Sequence, residues 1–222
     1  GVDLMAEQMA PLGFGRPTGI DLVGEARGIL PSTEWKRTAY RKPEQQRWYA
    51  GETISLGIGQ GYNNFTMLQI AQATATLVNQ GRQMRPHLVR EVVDVVSKQR
   101  TPVAHQPVAQ LPLKPEHVQE IQRALVGVNL EGTSATSFAG APYTSAGKTG
   151  TAQVFTVRQN EKYNAAQLDE RMRDHALFMA YAPAESPKVV LAMVVENAGF
   201  GAQNAAPIAR RVFDYVLLDQ YP

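Results

Sequence analysis

The chain has 222 residues, 44% of them hydrophobic and 19% charged, with a formal net charge of +2 and no cysteine. That composition belongs to a globular protein able to bury a substantial core, and it excludes disorder, disulfides, thiolate metal sites and a cysteine nucleophile. The small net charge makes no electrostatic case for nucleic acid or an anionic surface, and the densest basic cluster (Lys36, Arg37, Arg41, Lys42, Arg47) reads as a solvated loop.

The first residues, GVDLMAEQMA, lack an initiator Met, carry no signal peptide and read as the inside of a larger fold. Val2, Leu4, Met5 and Met9 recur at helical spacing until Gly13 stops them. The run GFGRPTGIDLVGEARGILPS is too rich in Gly and Pro for a regular element, and residues 33–53 are polar and aromatic. The clearest helix spans Thr66 to Gln80, with Leu68, Ile70, Ala71, Ala75, Leu77 and Val78 on its apolar face and Gly81 beyond its end. HLVREVVDVVSKQRTPVAHQ predicts a hairpin turning at Ser97-Lys98-Gln99. Pro115 opens a second helix through Val118, Ile121, Leu125 and Val128.

A strand over 143–157, a short charged helix over 164–172 and strands over 176–182 and 188–196 follow. A closing helix over 203–218 is expected to bury Ile208, Val212, Tyr215 and Val216. Together these predict an α+β fold, an antiparallel sheet flanked by helices, incomplete at its N-terminal side. Within a single domain, residues 1–142 would be mostly helix and loop, and 143–222 would supply the sheet strands and last helix. No run approaches the ~20 apolar residues that cross a bilayer.

The chemistry concentrates in SAGKTGTAQVF, residues 145–155. A phosphate loop needs Gly, four residues, then Gly-Lys-[Ser/Thr]; before Gly147-Lys148-Thr149 that first Gly position holds Pro142, and a strand follows where a helix should. GIGQGY has Tyr62 at the third glycine of a dinucleotide fingerprint, and a nucleophile elbow at Ser145 would need Gly where Tyr143 stands. His87, His105, His117 and His175 have no metal-ligand spacing. Ser145 and Lys148 match Ser-x-x-Lys, but three residues apart on a strand they point to opposite faces, so Ser145 is not expected to be a nucleophile.

An edge strand remains. Alternation sets Lys148 and Gly150 on one side, Thr149 and Thr151 on the other. A Lys ammonium and two hydroxyls make a carboxylate receptor, Gly150 admits a close backbone, and free strand amides can pair with a peptide or face a developing oxyanion.

In its context, Lys148-Thr149-Gly150 resembles the third signature of the penicillin-recognising serine transpeptidases and β-lactamases, whose other two are Ser-x-x-Lys and Ser-x-Asn or Ser-x-Asp. FGRPTGIDLVGEARGILPS, IGQGYNNFTMLQIAQATATLVNQG, RPHLV, GTSATSF and AGKTGTAQVF resemble blocks of class B penicillin-binding proteins in their expected order, over nearly the whole chain. WYAGETISLGIGQGY, GTAQVF, YNAAQLDERMRDHALFMAYAP and VENAGFG resemble the elongation transpeptidases of rod-shaped Gram-negative bacteria in particular. Met67 departs from the Pro usual at that helix start.

The resemblance implies acyl transfer. A serine attacks the D-Ala-D-Ala carbonyl of a peptidoglycan stem peptide, the terminal D-Ala leaves, and an amine of a neighbouring strand takes the acyl group. Lys148 would organise protons, Thr149 and Thr151 would bind the terminal carboxylate, and the Thr151 N–H would be half of the oxyanion hole. It further implies inhibition by β-lactams, a site at the periplasmic face of the inner membrane, and a SEDS glycosyltransferase of the elongation complex as partner. No metal or organic cofactor is implied.

Neither a strand-independent Ser-x-x-Lys nor any Ser-x-Asn or Ser-x-Asp occurs in the chain. The chain is therefore expected to hold one wall of a transpeptidase cleft without its nucleophile or membrane anchor, and to be inactive alone. Two other readings compete: a non-catalytic binding or scaffold module of the same fold, and a weaker one, nucleotide binding at Gly147-Lys148-Thr149. The stretch RMRDHA, with Arg171, Arg173, Asp174 and His175, reads as a solvated helix end before it reads as a groove rim, and the glycines of GIGQG read as structural.

Overall fold

The structure is a computed structural model that describes residues 1–154 and 168–218. These form two compact units, Gly1–Leu113 and Lys114–Pro222. Among the described residues no helix is long and apolar enough to cross a membrane.

The first unit is helical with small sheets. It contains α1 (Val2–Met9), α2 (Thr33–Ala39), α3 (Pro43–Gln46), α4 (Ala50–Gly57), α5 (Met67–Val78), β1 (Arg82–Met84), β2 (Glu91–Val93), β3 (Arg100–Pro102) and β4 (Pro107–Gln110). β2 and β3 form the predicted hairpin, and β1 pairs antiparallel with β4. α5 starts where Thr66 and Gln69 form a reciprocal capping box. Gln69 is fully buried because its amide nitrogen also donates to the Arg16 and Arg27 carbonyls, at 2.7 and 2.8 Å, tying the Gly- and Pro-rich run to the helix.

Residues 33–57 depart from expectation. Three short helices run through them, and Lys36, read as solvated, is 2% exposed. Its ammonium is ion-paired to Glu52, donates to the Arg47 carbonyl at 2.8 Å, and lies 5.2–5.5 Å from the ring centroids of Trp48, Tyr49 and Tyr62. Those aromatics, which looked like loop decoration, are the walls that desolvate the charge. Burial would raise the Glu52 carboxyl, but bonds from Lys36, the Tyr49 N–H and the Tyr62 hydroxyl hold it below its ordinary value.

The second unit contains α6 (Pro115–Leu130), α7 (Ala135–Phe138), β5 (Ala146–Ala152), β6 (His175–Ala182), β7 (Val189–Val195), α8 (Gly201–Asn204) and α9 (Ala206–Leu217). The sheet is antiparallel in the order β5-β6-β7. One face of β6, Ala176, Phe178, Ala180 and Ala182, is buried in a core with Phe138 of α7 and Ala205, Ala206, Ala209 and Phe213 at α9. The closing helix thus turns a different face inward from the one predicted: Ile208, Tyr215 and Val216 are more than two-fifths exposed. Small residues win because Phe178 and Phe138 already fill the space, with ring centroids 5.9 Å apart, so the helix must come close. The predicted strands at 176–182 and 188–196 are present within a residue at each end. Of the predicted strand 143–157, β5 takes Ala146–Ala152, and residues 155–157 lie outside the described residues. The predicted helix 164–172 lies partly outside them as well; its described end is a single 3-10 turn, Glu170–Met172.

Removing one member of a buried ion pair leaves the other charge uncompensated. Lys36→Met is therefore expected to lower the unfolding free energy by about 3 kcal/mol, with part recovered when Glu52→Gln is added. Urea denaturation of the three forms checks this, and a loss below about 1 kcal/mol would mean that Lys36 is solvated after all.

Candidate active site

β5 determines the geometry. It pairs with β6 so that Lys148 lies opposite Met179, Thr149 opposite Phe178 and Thr151 opposite Ala176. Directly opposed residues share a face. The two threonines therefore extend the Phe178 face to the margin of the sheet, while Lys148 and Gly150 lie on the other face, as the alternation predicts. Among the described residues β5 is an outermost strand, with no strand on its second side.

Lys148 is exposed, and its ammonium donates to the Thr149 carbonyl at 2.7 Å. Thr149 and Thr151 are half-buried. The Thr149 hydroxyl lies 2.9 Å from that of Thr133, in the turn between α6 and α7. The close approach at Gly150 is made by the chain's own Gly201: a Cβ on Gly201 would overlap the Leu177 carbonyl oxygen and come within 2.5 Å of the Gly150 carbonyl oxygen. α8 can sit against the strand only because Gly201 has no side chain.

Ser145 is not placed as a nucleophile. It is 5% exposed and accepts a bond from the Asn129 amide at 2.9 Å, whereas Lys148 is in solvent. The sequence pair Ser145/Lys148 is thus split between core and surface.

A cavity of about 360 Å³ opens at the end of β5, lined by Thr151, Arg173, Asp174, Asn197, Phe200 and Asn204 among others. Asp174, expected at a solvated helix end, is 8% exposed, and burial pushes its carboxyl above the ordinary 3.8, against a bond from the Val154 backbone. The Asn197 N–H donates to His175 Nδ1 at 2.8 Å and its amide to the Arg173 carbonyl at 3.0 Å, which fixes the rim. A larger cavity, about 510 Å³, is lined by Asn129, Phe138, Gly140, Tyr143 and Ser145 and touches none of Lys148–Thr151. His87 and His105 stack at 4.3 Å between centroids; among the described residues no group of three or more His, Asp or Glu is placed to hold a metal.

Sequence reasoning singled out Lys148, Thr149, Gly150 and Thr151, and one strand carries all four. It gave no role to Thr133, although GTSATSF was among the recognisable blocks, and it undervalued Asp174 because burial has no signature in a charged run.

Residues 1–214 match the family described as penicillin binding protein transpeptidase domain. The chain belongs to that family. Among its relatives, peptidoglycan D,D-transpeptidase MrdA of Haemophilus influenzae is 43% identical across the whole chain, and MrdA of Escherichia coli K12 is 38% identical over 98% of it. The chain spans 34% of the length of each. Among solved structures, Pseudomonas aeruginosa PBP2 in complex with WCK 5153 superposes with a TM-score of 0.79 at 37% identity, covering all of this chain and 45% of that one. The Helicobacter pylori complex between PBP2 and MreC gives 0.76 at 26% identity, over 100% of this chain and 37% of that one.

Asp174 provides a check on burial at this rim. A carboxyl whose folded value is raised is ionised at a cost to the folded state; that cost is absent below the unfolded value of 3.8 and full above the folded value. Asp174→Asn removes the charge, so its thermal midpoint should exceed the parent's at about pH 7, and the gap should close towards about pH 3. Calorimetry at the two pH values measures it; a variant less stable at neutral pH would contradict the burial argument.

Proposed function

We propose that this chain forms one wall of the active site of a longer serine-type peptidoglycan D,D-transpeptidase of the elongation branch, penicillin-binding protein 2. The observation that carries the reading is the outermost strand, on which Lys148 is exposed and Thr149, Gly150 and Thr151 are half-buried. Here Thr149 and Thr151 receive the terminal carboxylate of a stem peptide, or that of a β-lactam. The Thr151 N–H faces the developing oxyanion, worth ~3 kcal/mol for one donor. Lys148 steadies the protons of a serine in the second signature, supplied by segments outside this chain along with the nucleophilic Ser-x-x-Lys.

The attacking serine displaces D-alanine, and an amine on a second peptide releases the acyl group, so peptide bond energy is conserved and no cofactor is needed. Relatives named MrdA support the reaction class. The Helicobacter pylori complex with MreC, and a neighbour described as coordinating polymerisation and crosslinking in a peptidoglycan synthase complex, support partners of the elongation machinery; a SEDS glycosyltransferase is the partner proposed from the family resemblance. The site would act at the periplasmic face of the inner membrane, through an anchor elsewhere in the longer protein.

The test is the acylation rate constant of the full-length protein with a fluorescent penicillin. Lys148→Ala is expected to lower it by about 10² or more, as loss of a proton-organising group does. Unchanged labelling would favour the scaffold reading of this chain.

A further inference from the structure

Thr133 sits exposed in the turn that follows α6, yet its hydroxyl is 2.9 Å from that of Thr149 on the edge strand. The turn is held rigidly. A Cβ on Gly132 would come within 2.7 Å of the Val128 Cα, so the chain doubles back onto α6 where only glycine fits. Ser134, 1% exposed, donates its hydroxyl to the Asn129 side-chain oxygen at 2.6 Å, and Asn129 donates in turn to Ser145 beside the start of β5. Backbone bonds from Gly132 to the Gly127 carbonyl and from Ser134 to the Val128 carbonyl close the turn. This buried polar chain fixes the turn against the strand, so the Thr133–Thr149 bond is imposed by the fold and is not a chance meeting of two surface rotors.

We propose that Thr133 is a positioning residue for the carboxylate receptor at Thr149; the proposal rests on the transpeptidase reading above. Each hydroxyl has one proton and two lone pairs. In the proposed arrangement Thr133 donates the proton that joins the two oxygens, which leaves the Thr149 proton for a ligand. The bond between them polarises that outward proton and restrains its direction. Both side chains are β-branched and stiff at χ1, which adds to the restraint. A carboxylate arriving at the strand meets a preset donor where a lone threonine would offer a freely turning one. Thr133 touches no reacting atom, so its contribution is to recognition of the acidic terminus and not to proton transfer.

The experiment uses the full-length protein and a donor peptide ending in a free D-alanine carboxylate, beside the same peptide ending in a primary amide. Thr133→Val should raise KM for the acid about tenfold with kcat within about twofold, and leave the amide peptide unchanged, the upper end of what one hydrogen bond between neutral groups contributes. Thr133→Ser, which keeps the hydroxyl, should restore the parent's preference for the acid. Equal losses on both peptides would reveal a merely structural role and overturn the proposal. Thr149→Val separates it from the reading beneath it. If Thr149→Val abolishes the acid preference while Thr133→Val keeps it, only the positioning role fails. If Thr149→Val also keeps it, the carboxylate receptor itself is wrong and Thr133 falls with it.

Discussion

A strand at the margin of a sheet must satisfy its backbone on one side and leave the other to something else, and the second unit is organised around that condition at β5. Its pairing with β6 fixes the register of Lys148, Thr149, Gly150 and Thr151. The core face of β6, filled by Phe178 and alanines against Phe138 and Phe213, fixes the plane of the sheet. Ordinary proteins blunt such edges with charges, bulges or covering loops. On this one a lysine stands on one face and two threonines on the other, groups that suit an acidic peptide terminus.

Two supports act on the strand from its own unit. The turn after α6 reaches Thr149 through Thr133, and α8 reaches Gly150 through Gly201. Neither support could tolerate a larger backbone neighbour: Gly132 and Gly201 each stand where a Cβ would strike main-chain atoms. Rigid elements that hold a short functional segment from behind are what a preorganised site needs. In the first unit the constraint is of another kind. A lysine is taken out of water among three aromatic rings, and its partner Glu52 and the Arg47 carbonyl make that burial tolerable.

Much of this was legible in the sequence because the signals were local. The β-rich run after Lys148 argued for a strand and against Ser145 with Lys148 as a catalytic pair, and the buried Ser145 agrees. The capping residue Thr66 and the helix-opening Pro115 marked the starts of α5 and α6 to within a residue. What was not legible depends on partners distant in the chain. Hydropathy chose Ile208, Tyr215 and Val216 for the core of α9, but the space left by Phe138 and Phe178 admits alanines at 206 and 209. A charge cluster gives no sign that one member, Lys36, has an acidic partner sixteen residues on, inside a cage of rings. Asp174 hides in a charged run for the same reason, and Thr133 matters only through a contact that no spacing rule connects to Thr149.

The central claim is that the margin of β5 receives an acidic terminus, and a crystal structure of the full-length protein acylated by a β-lactam tests it most directly. The account predicts the ligand carboxylate within hydrogen-bonding distance, about 2.6–3.2 Å, of the Thr149 and Thr151 hydroxyls, with the ligand carbonyl oxygen on the Thr151 N–H. A bound ligand whose carboxylate lies against another element, with β5 untouched, would contradict it.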